Sequence, residues 1–212
     1  MRVENSTVIC IDLDDTIYKE IDFFNSAIYF LFKKYLDITL DDSSLFLNQN
    51  SNWFEYLQSE TEMSKDSILH DYRFHFPTLA LPHESKLFLE TVKRKKIPLI
   101  LITDGRSLTQ RNKLSALGIS DFFDYILISE EFGSEKPNFR NFEWVMRLYK
   151  DSSYVYIGDN TNKDFVTPNR LHWNTVCLLD DGRNIHKQSF EMPVEYLPKK
   201  KIENLQDYIL DL

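Results

Sequence analysis

Asp12-Leu13-Asp14-Asp15-Thr16, then Thr103, then Lys136, then Asp159 with Asp164 follow one another along the chain, each closing or following a short apolar run. Runs of that kind form buried parallel strands. Carboxylates are costly to gather unless something cationic neutralises them. A carboxylate nucleophile, a carboxylic acid, a hydroxyl, a lysine and an acidic pair for a metal are what phosphoryl transfer requires. The pattern points to a Mg2+-dependent phosphatase.

Asp12 and Asp14 stand where the first strand turns into a loop, so both carboxyl groups can approach one substrate. Asp12 can attack phosphorus and form an aspartyl-phosphate, and Asp14 can supply the proton for the leaving oxygen. General acid help of this sort is typically worth ~10²–10⁴ in rate. Thr103 is followed by Asp104-Gly105, and a hydroxyl with exposed backbone N–H groups there can hold phosphate oxygens. Thr103, Asp104 and Lys136 are thus the candidate phosphate-binding residues. Lys136 sits before Pro137, a residue suited to start a helix, and offers a point charge to phosphate and to Asp12. Asp159 fits a direct Mg2+ ligand beside Asp12, since Mg2+ takes one or two carboxylates plus phosphate and water oxygens. Asp164, about one helical turn further on, fits a supporting role towards the metal or Lys136. Each signal alone has a bland counterpart: an acidic loop, a turn, a surface lysine, or acids on a helix dipole. Their order and their places at strand ends make them informative together.

Positioning them requires an α/β fold, a Rossmann-like parallel sheet with helices on both faces. Residues 8–12, 98–103, 125–129, 153–159 and 175–179 read as strands, and 83–96, 107–117, 138–149 and 162–172 as helices between them. In such sheets ligands sit beyond the carboxyl ends of the strands, at the switch in strand order. Residues 17–82 separate the first two strands by far more than a crossover needs. An apolar stripe at Phe24, Ile28, Leu31 and Tyr35 predicts a helix over 21–35. Asn52 with Glu55 suggests a capping box, and Ser64 caps a helix running to about His75. The expected organisation is a core of 1–16 and 83–212 with an inserted all-helical cap, 17–82. An amphipathic helix over about 201–211 closes the chain.

These motifs resemble the four motifs of the haloacid dehalogenase-like hydrolase superfamily. The resemblance covers about 8–16 and 83–180, and the insertion resembles that superfamily's helical C1-type cap. It implies Asp12 as nucleophile, Asp14 as acid/base with its main-chain carbonyl on Mg2+, and Asp159 as the remaining protein ligand. Thr103 and Lys136 would bind phosphate. Asp15 stands where glycine is frequent in the superfamily, though aspartate is a familiar variant. True dehalogenases of the superfamily lack an acid at the position of Asp14, which argues against dehalogenation. The segment 158–186 is similar to hydrolases of bacterial surface-sugar and sugar-nucleotide pathways, so a sugar phosphate or a nucleotide monophosphate is the expected substrate class.

The cap is expected to choose that substrate. Lys19, just after the first motif, and Arg73 and His75, late in the cap, are the candidates to reach inward; His75, between Phe74 and Phe76, also reads as a packing histidine. A phosphosugar mutase would use the same aspartyl-phosphate, but 17–82 lacks a clear basic cluster for a second phosphate. A non-catalytic binding protein on this fold would be expected to have lost Asp12, Asp14, Lys136 or Asp159, and all four are present.

The formal net charge of −8 argues against a nucleic-acid surface. Lys199-Lys200-Lys201 is the compact basic cluster and reads as a solvated helix start. No apolar stretch is long enough to span a bilayer, so a cytoplasmic location and no membrane partner are expected. Cys10 and Cys177 lie inside apolar runs and read as buried thiols. A monomer or a homodimer is compatible with the aromatic-rich cap.

Overall fold

Apolar runs rich in Val, Ile, Leu and Tyr form strands that cross one sheet at its centre. The computed structural model describes residues 7–37 and 52–210. Its strands are β1 (Thr7–Ile11), β2 (Leu99–Thr103), β3 (Tyr125–Ile128), β4 (Ser153–Gly158), β5 (Asn174–Leu178) and β6 (Lys200–Ile202). They lie in the order β3-β2-β1-β4-β5-β6, and every neighbouring pair is parallel. The chain leaves β1 towards β2 on one side and returns to β4 on the other. That reversal opens a crevice beyond the carboxyl end of β1, where Asp12 begins.

Alternation along the strands builds a core on each face. Ile9 and Ile11 of β1, Leu101 and Ile157 point to one side, where α4 (His83–Arg94), α5 (Ser107–Leu117) and α9 (Leu205–Ile209) cover them. Val8, Cys10, Ile100, Ile102 and Tyr156 point to the other, against Phe142 and Val145 of α7 (Phe139–Leu148) and Trp173. Both cysteines are free and buried. Two short helices complete the core, α6 (Ser129–Phe132) and α8 (Val166–Arg170).

Helices α1 (Glu20–Leu36), α2 (Trp53–Thr61) and α3 (Lys65–Phe74) enclose a separate core of Phe24, Ile28, Leu31, Phe32, Leu57 and Ile68. Ser64 caps α3 by accepting the Ser67 N–H at 3.2 Å. Asn52 makes no capping bond at the start of α2. Residues 38–51 of the expected cap, and 1–6 and 211–212 of the expected core, lie outside the described residues.

Two local readings change. The run Lys199-Lys200-Lys201 does not start a helix; residues 200–202 form the edge strand β6, beside β5. Ile202 is buried there, while the Lys199 ammonium donates to the Trp173 carbonyl at 2.6 Å and Lys201 lies over the Phe190 ring. Lysines suit an edge strand because they oppose further pairing. The helix expected over 162–172 shortens to α8, since Asp164 N–H closes a turn on the Asn160 carbonyl before it. Among the described residues no helix is long and apolar enough to cross a membrane.

Candidate active site

Asp12 follows β1 directly, and its N–H donates to the Ile157 carbonyl of β4 at 2.9 Å, so the sheet pairing itself fixes its place. Lys136 comes from the loop before α7. Its ammonium, fully buried, lies 2.9 Å from Asp12 Oδ1 and 2.9 Å from Asp164 Oδ1, and donates to the Tyr156 hydroxyl at 3.0 Å. Burial alone would favour a neutral amine, but Asp12 and Asp164 outweigh it and raise the Lys136 pKa well above its usual value. Asp164 is fully buried. Its other oxygen accepts the Asn160 N–H at 2.8 Å. Asp164 is therefore committed to holding Lys136 and the loop after β4.

Asp159, on that loop, completes the acidic group. Carboxylate oxygens of Asp12, Asp159 and Asp164 all lie within 4.8 Å of one another. Burial, with the neighbouring charge of Asp164 and Asp12, pushes Asp159 up to about 9. Burial pushes Asp12 up to about 7 despite Lys136. Lys136, with Lys163 nearby but paired to Asp104, does not balance three buried carboxylates, so the site calls for another positive charge. The donors are hard oxygens, as Mg2+ prefers. With Asp164 bound to Lys136, Asp12 and Asp159 are the carboxylates left to hold it.

Asp14 lies across the site and is clamped. Its Oδ1 accepts from Lys113 at 2.7 Å and from the Tyr18 hydroxyl at 2.6 Å; its Oδ2 accepts from Gln110 Nε2 at 2.9 Å. Burial raises its pKa, but Lys113 and these hydrogen bonds outweigh that and lower it. Gln110 also donates to Thr103 Oγ1 at 2.7 Å, tying the hydroxyl that ends β2 to Asp14. Asp15 adopts a left-handed backbone, φ 55°, which explains why glycine is at home at this position. Its carboxylate accepts the N–H groups of Glu20 and Ile185, both at 2.9 Å, and so joins the start of α1 to the loop after β5.

Asp12, Asp14, Thr103 and Asp159 line one cavity of about 150 Å³, with Glu20, Lys163 and His186 at its walls. Lys136 stands behind Asp12. Asp104 reaches the same cavity, but its carboxylate does not address phosphate: it accepts the Lys136 N–H at 3.0 Å and pairs with Lys163 at 2.9 Å. A carboxylate would repel a phosphate oxygen, and this one instead positions two lysines.

The three residues expected to reach in from the cap do not line this cavity. Lys19 donates to Asn184 Oδ1 at 2.6 Å and pairs with Asp181 at 3.2 Å, beside a separate groove of about 230 Å³ that holds none of the phosphate-directed residues. Arg73 offers its carbonyl to the Thr109 hydroxyl at the α3–α5 contact. His75 is buried, stacked on Phe30 and tilted against Phe23, with Nδ1 on the Tyr72 carbonyl and Nε2 on Ser26 Oγ. It is a packing residue because both ring nitrogens are already engaged.

Sequence reasoning passed over Gln110, Lys113, Tyr156 and Asn184. The first two had a signal: Gln110, Lys113, Leu114 and Leu117 share the buried face of α5 at helical spacing, and two polar residues there need partners. Asn184 bridges Lys19 to Asp159, donating to Asp159 Oδ2 at 3.0 Å, from the irregular loop after β5.

Residues 9–176 match the family model described as haloacid dehalogenase-like hydrolase. The chain is 30% identical over 196 residues to the glyceraldehyde 3-phosphate phosphatase of Methanocaldococcus jannaschii, covering 81% of this chain and 84% of that one. It is 44% identical over 79 residues to the enzyme of the same name from Methanopyrus kandleri, covering 36% of this chain and 34% of that one. The fold is similar to that of the HAD hydrolase YfnB of Bacillus subtilis, solved bound to magnesium, with a TM-score of 0.67 and 20% identity over 98% of this chain and 99% of that one.

Proposed function

The chain belongs to the haloacid dehalogenase-like hydrolases, and we propose that this phosphatase cleaves small phosphate monoesters in the cytoplasm by way of an aspartyl-phosphate on Asp12. The observation that carries the reading is the ion cluster at the switch point. Lys136 holds Asp12 Oδ1 at 2.9 Å and is itself held by Asp164 at 2.9 Å, which aims one carboxylate into a polar cavity.

Asp12 attacks phosphorus in line, forming a P–O bond as the ester P–O bond breaks. The departing alkoxide takes its proton from Asp14. The resting clamp favours the Asp14 carboxylate, and a phosphate dianion arriving beside it favours protonation. Water then attacks the aspartyl-phosphate and gives a proton back to Asp14, and the Asp12–phosphorus bond breaks to release phosphate. Thr103, at the cavity wall, holds a phosphoryl oxygen, with backbone at residues 104–105 beside it, and Lys136, buried behind Asp12, offsets the charge of that carboxylate. Asp12 and Asp159, with the Asp14 carbonyl, would hold a Mg2+ ion, which when bound offsets the charge of the carboxylates and the phosphoryl group.

The cavity of about 150 Å³ is far below the ~300–1,000 Å³ of drug-sized sites. It suits phosphate with a short polar chain, as in a small sugar phosphate, better than a nucleotide. The relatives named for glyceraldehyde 3-phosphate support a substrate of that size. Helices α1–α3 act as the cap over the site, with Glu20 of α1 forming part of its wall.

The test is phosphate release from short sugar phosphates, nucleoside monophosphates and an aryl phosphate, with Mg2+ and with excess chelator. Metal-dependent release that Asp12→Asn abolishes in a folded protein supports the reading. Full activity in chelator, or substantial activity in Asp12→Asn, overturns it.

A further inference from the structure

The buried polar groups of α5 have no part in the chemistry just described, yet they converge on Asp14. Lys113 is almost wholly enclosed, its ammonium 2.7 Å from Asp14 Oδ1, 3.6 Å from Glu20 Oε1 and 4.5 Å from the centre of the Phe23 ring. Its charge is thus shared between a residue of the core loop and the first turn of α1, in the cap. Gln110, also enclosed, spans Asp14 Oδ2 and Thr103 Oγ1. The fold keeps room for that side chain: a Cβ at Gly105, whose φ is +147°, would lie 3.0 Å from Gln110 Cδ. Burying a lysine and an amide is costly unless both are paired, and here the pairing fixes both oxygens of one carboxylate.

We propose that Lys113, with Gln110 beside it, is a positioning residue for the leaving-group step, holding the Asp14 carboxyl in line with the phosphate cradle of Thr103 and coupling it to the cap through Glu20. This rests on Asp14 serving as the acid, as proposed above. Neither side chain touches substrate; both act through Asp14. Misplacing an acid matters in proportion to how badly the leaving group needs a proton. An alkoxide needs one, whereas a nitrophenolate leaves without it.

The experiment measures kcat/KM, which reports transfer to Asp12, for an alkyl sugar phosphate and for p-nitrophenyl phosphate in saturating Mg2+. Lys113→Met is compared with wild type, with Asp14→Asn and with the double variant. The expected result is a loss of ~10²-fold or more on the alkyl ester, within the range for general acid help, against a much smaller loss on the aryl ester. The double variant should be no worse than Asp14→Asn alone, because a positioning residue has nothing left to position. Since Lys113→Met also strands Glu20, Lys113→Met/Glu20→Gln repeats the comparison without that second stranded carboxylate, and circular dichroism checks folding of each. Equal losses on both esters, no loss on either, or an additive double variant would overturn the proposal. If Asp14→Asn itself treats the two esters alike while Asp12→Asn is dead, the assignment of Asp14 as acid fails and takes the positioning role with it, with the phosphatase reading left standing.

Discussion

Gly158 and Asp164 approach so closely that no side chain fits between them: a Cβ at position 158 would lie 2.5 Å from Asp164 Oδ2 and 2.8 Å from its Cγ. Gly158 is the last residue of β4, and Asp164 is the carboxylate that holds both Lys136 and the Asn160 N–H. The glycine before Asp159 therefore serves packing. Gly158→Ala would force Asp164 aside and with it Lys136. Overpacking of this kind costs ~1–3 kcal/mol of stability. A displacement near 1 Å at the reacting groups costs ~10²-fold in rate. Thermal unfolding and kcat on the folded variant check both; a normal kcat would show that Asp164 is not needed to seat Lys136.

Divalent metal and pH should act together on stability. Without metal, Asp12 is pushed up to about 7 and Asp159 to about 9, chiefly by burial. Unfolded aspartates titrate near ~3.9. Between those values the folded protein binds more protons than the unfolded chain, so this contribution favours folding at low pH and is lost as pH rises towards 9. Mg2+ bound as proposed would remove the penalty by pairing the charges. The rise in melting temperature on adding Mg2+ should therefore grow from pH 6 to pH 8.5, and Asp159→Asn should flatten it. A Mg2+ shift that is independent of pH in wild type would refute this account.

Asn184 should matter for metal affinity without touching the phosphate. Its amide spans Lys19, at 2.6 Å, and Asp159 Oδ2, at 3.0 Å. Removing a partner that orients a metal-binding carboxylate typically costs 10–100-fold in affinity. Asn184→Ala should raise the Mg2+ concentration for half-maximal activity by about that factor, with kcat at saturating Mg2+ nearly kept. Titration of activity with Mg2+ is the measurement, and an unchanged midpoint would separate Asn184 from the metal site.

The parts of this site legible in the sequence are those placed by strand ends. Asp12, Thr103 and Asp159 each follow or close an apolar run, so reading the strands also reads their position. Lys136 and Asp164 were legible as types suited to the chemistry and to each other, but the choice of Lys136 over the metal as the partner of Asp164 depends on the loop before α7 meeting the loop after β4 at 2.9 Å. Lys113 and Gln110 share a helix face with Leu114 and Leu117, so periodicity shows that they are buried but not that Asp14 is their partner. Asn184 lies in an irregular loop without periodicity, and the resemblance of segment 158–186 points to a substrate class without giving this residue a role. The edge strand β6 is too short, and too rich in lysine, to show alternation.

His75 separates packing from specificity. Its ring lies between Phe23 and Phe30, with Nδ1 on the Tyr72 carbonyl at 2.9 Å and Nε2 on Ser26 Oγ at 3.2 Å. Burial lowers its pKa, so the neutral ring is the form the cap holds at neutral pH. His75→Ala would leave a cavity between two aromatic rings and free the Ser26 hydroxyl of one partner, while the Thr78 N–H keeps the other. Large-to-small changes at such sites cost ~2–5 kcal/mol. The expected outcome is a clear fall in melting temperature with little change in the ranking of substrates by kcat/KM. A changed ranking in a protein that melts normally would place His75 at the substrate after all, and would mean that the cap moves its α1–α3 contact into the cavity during turnover.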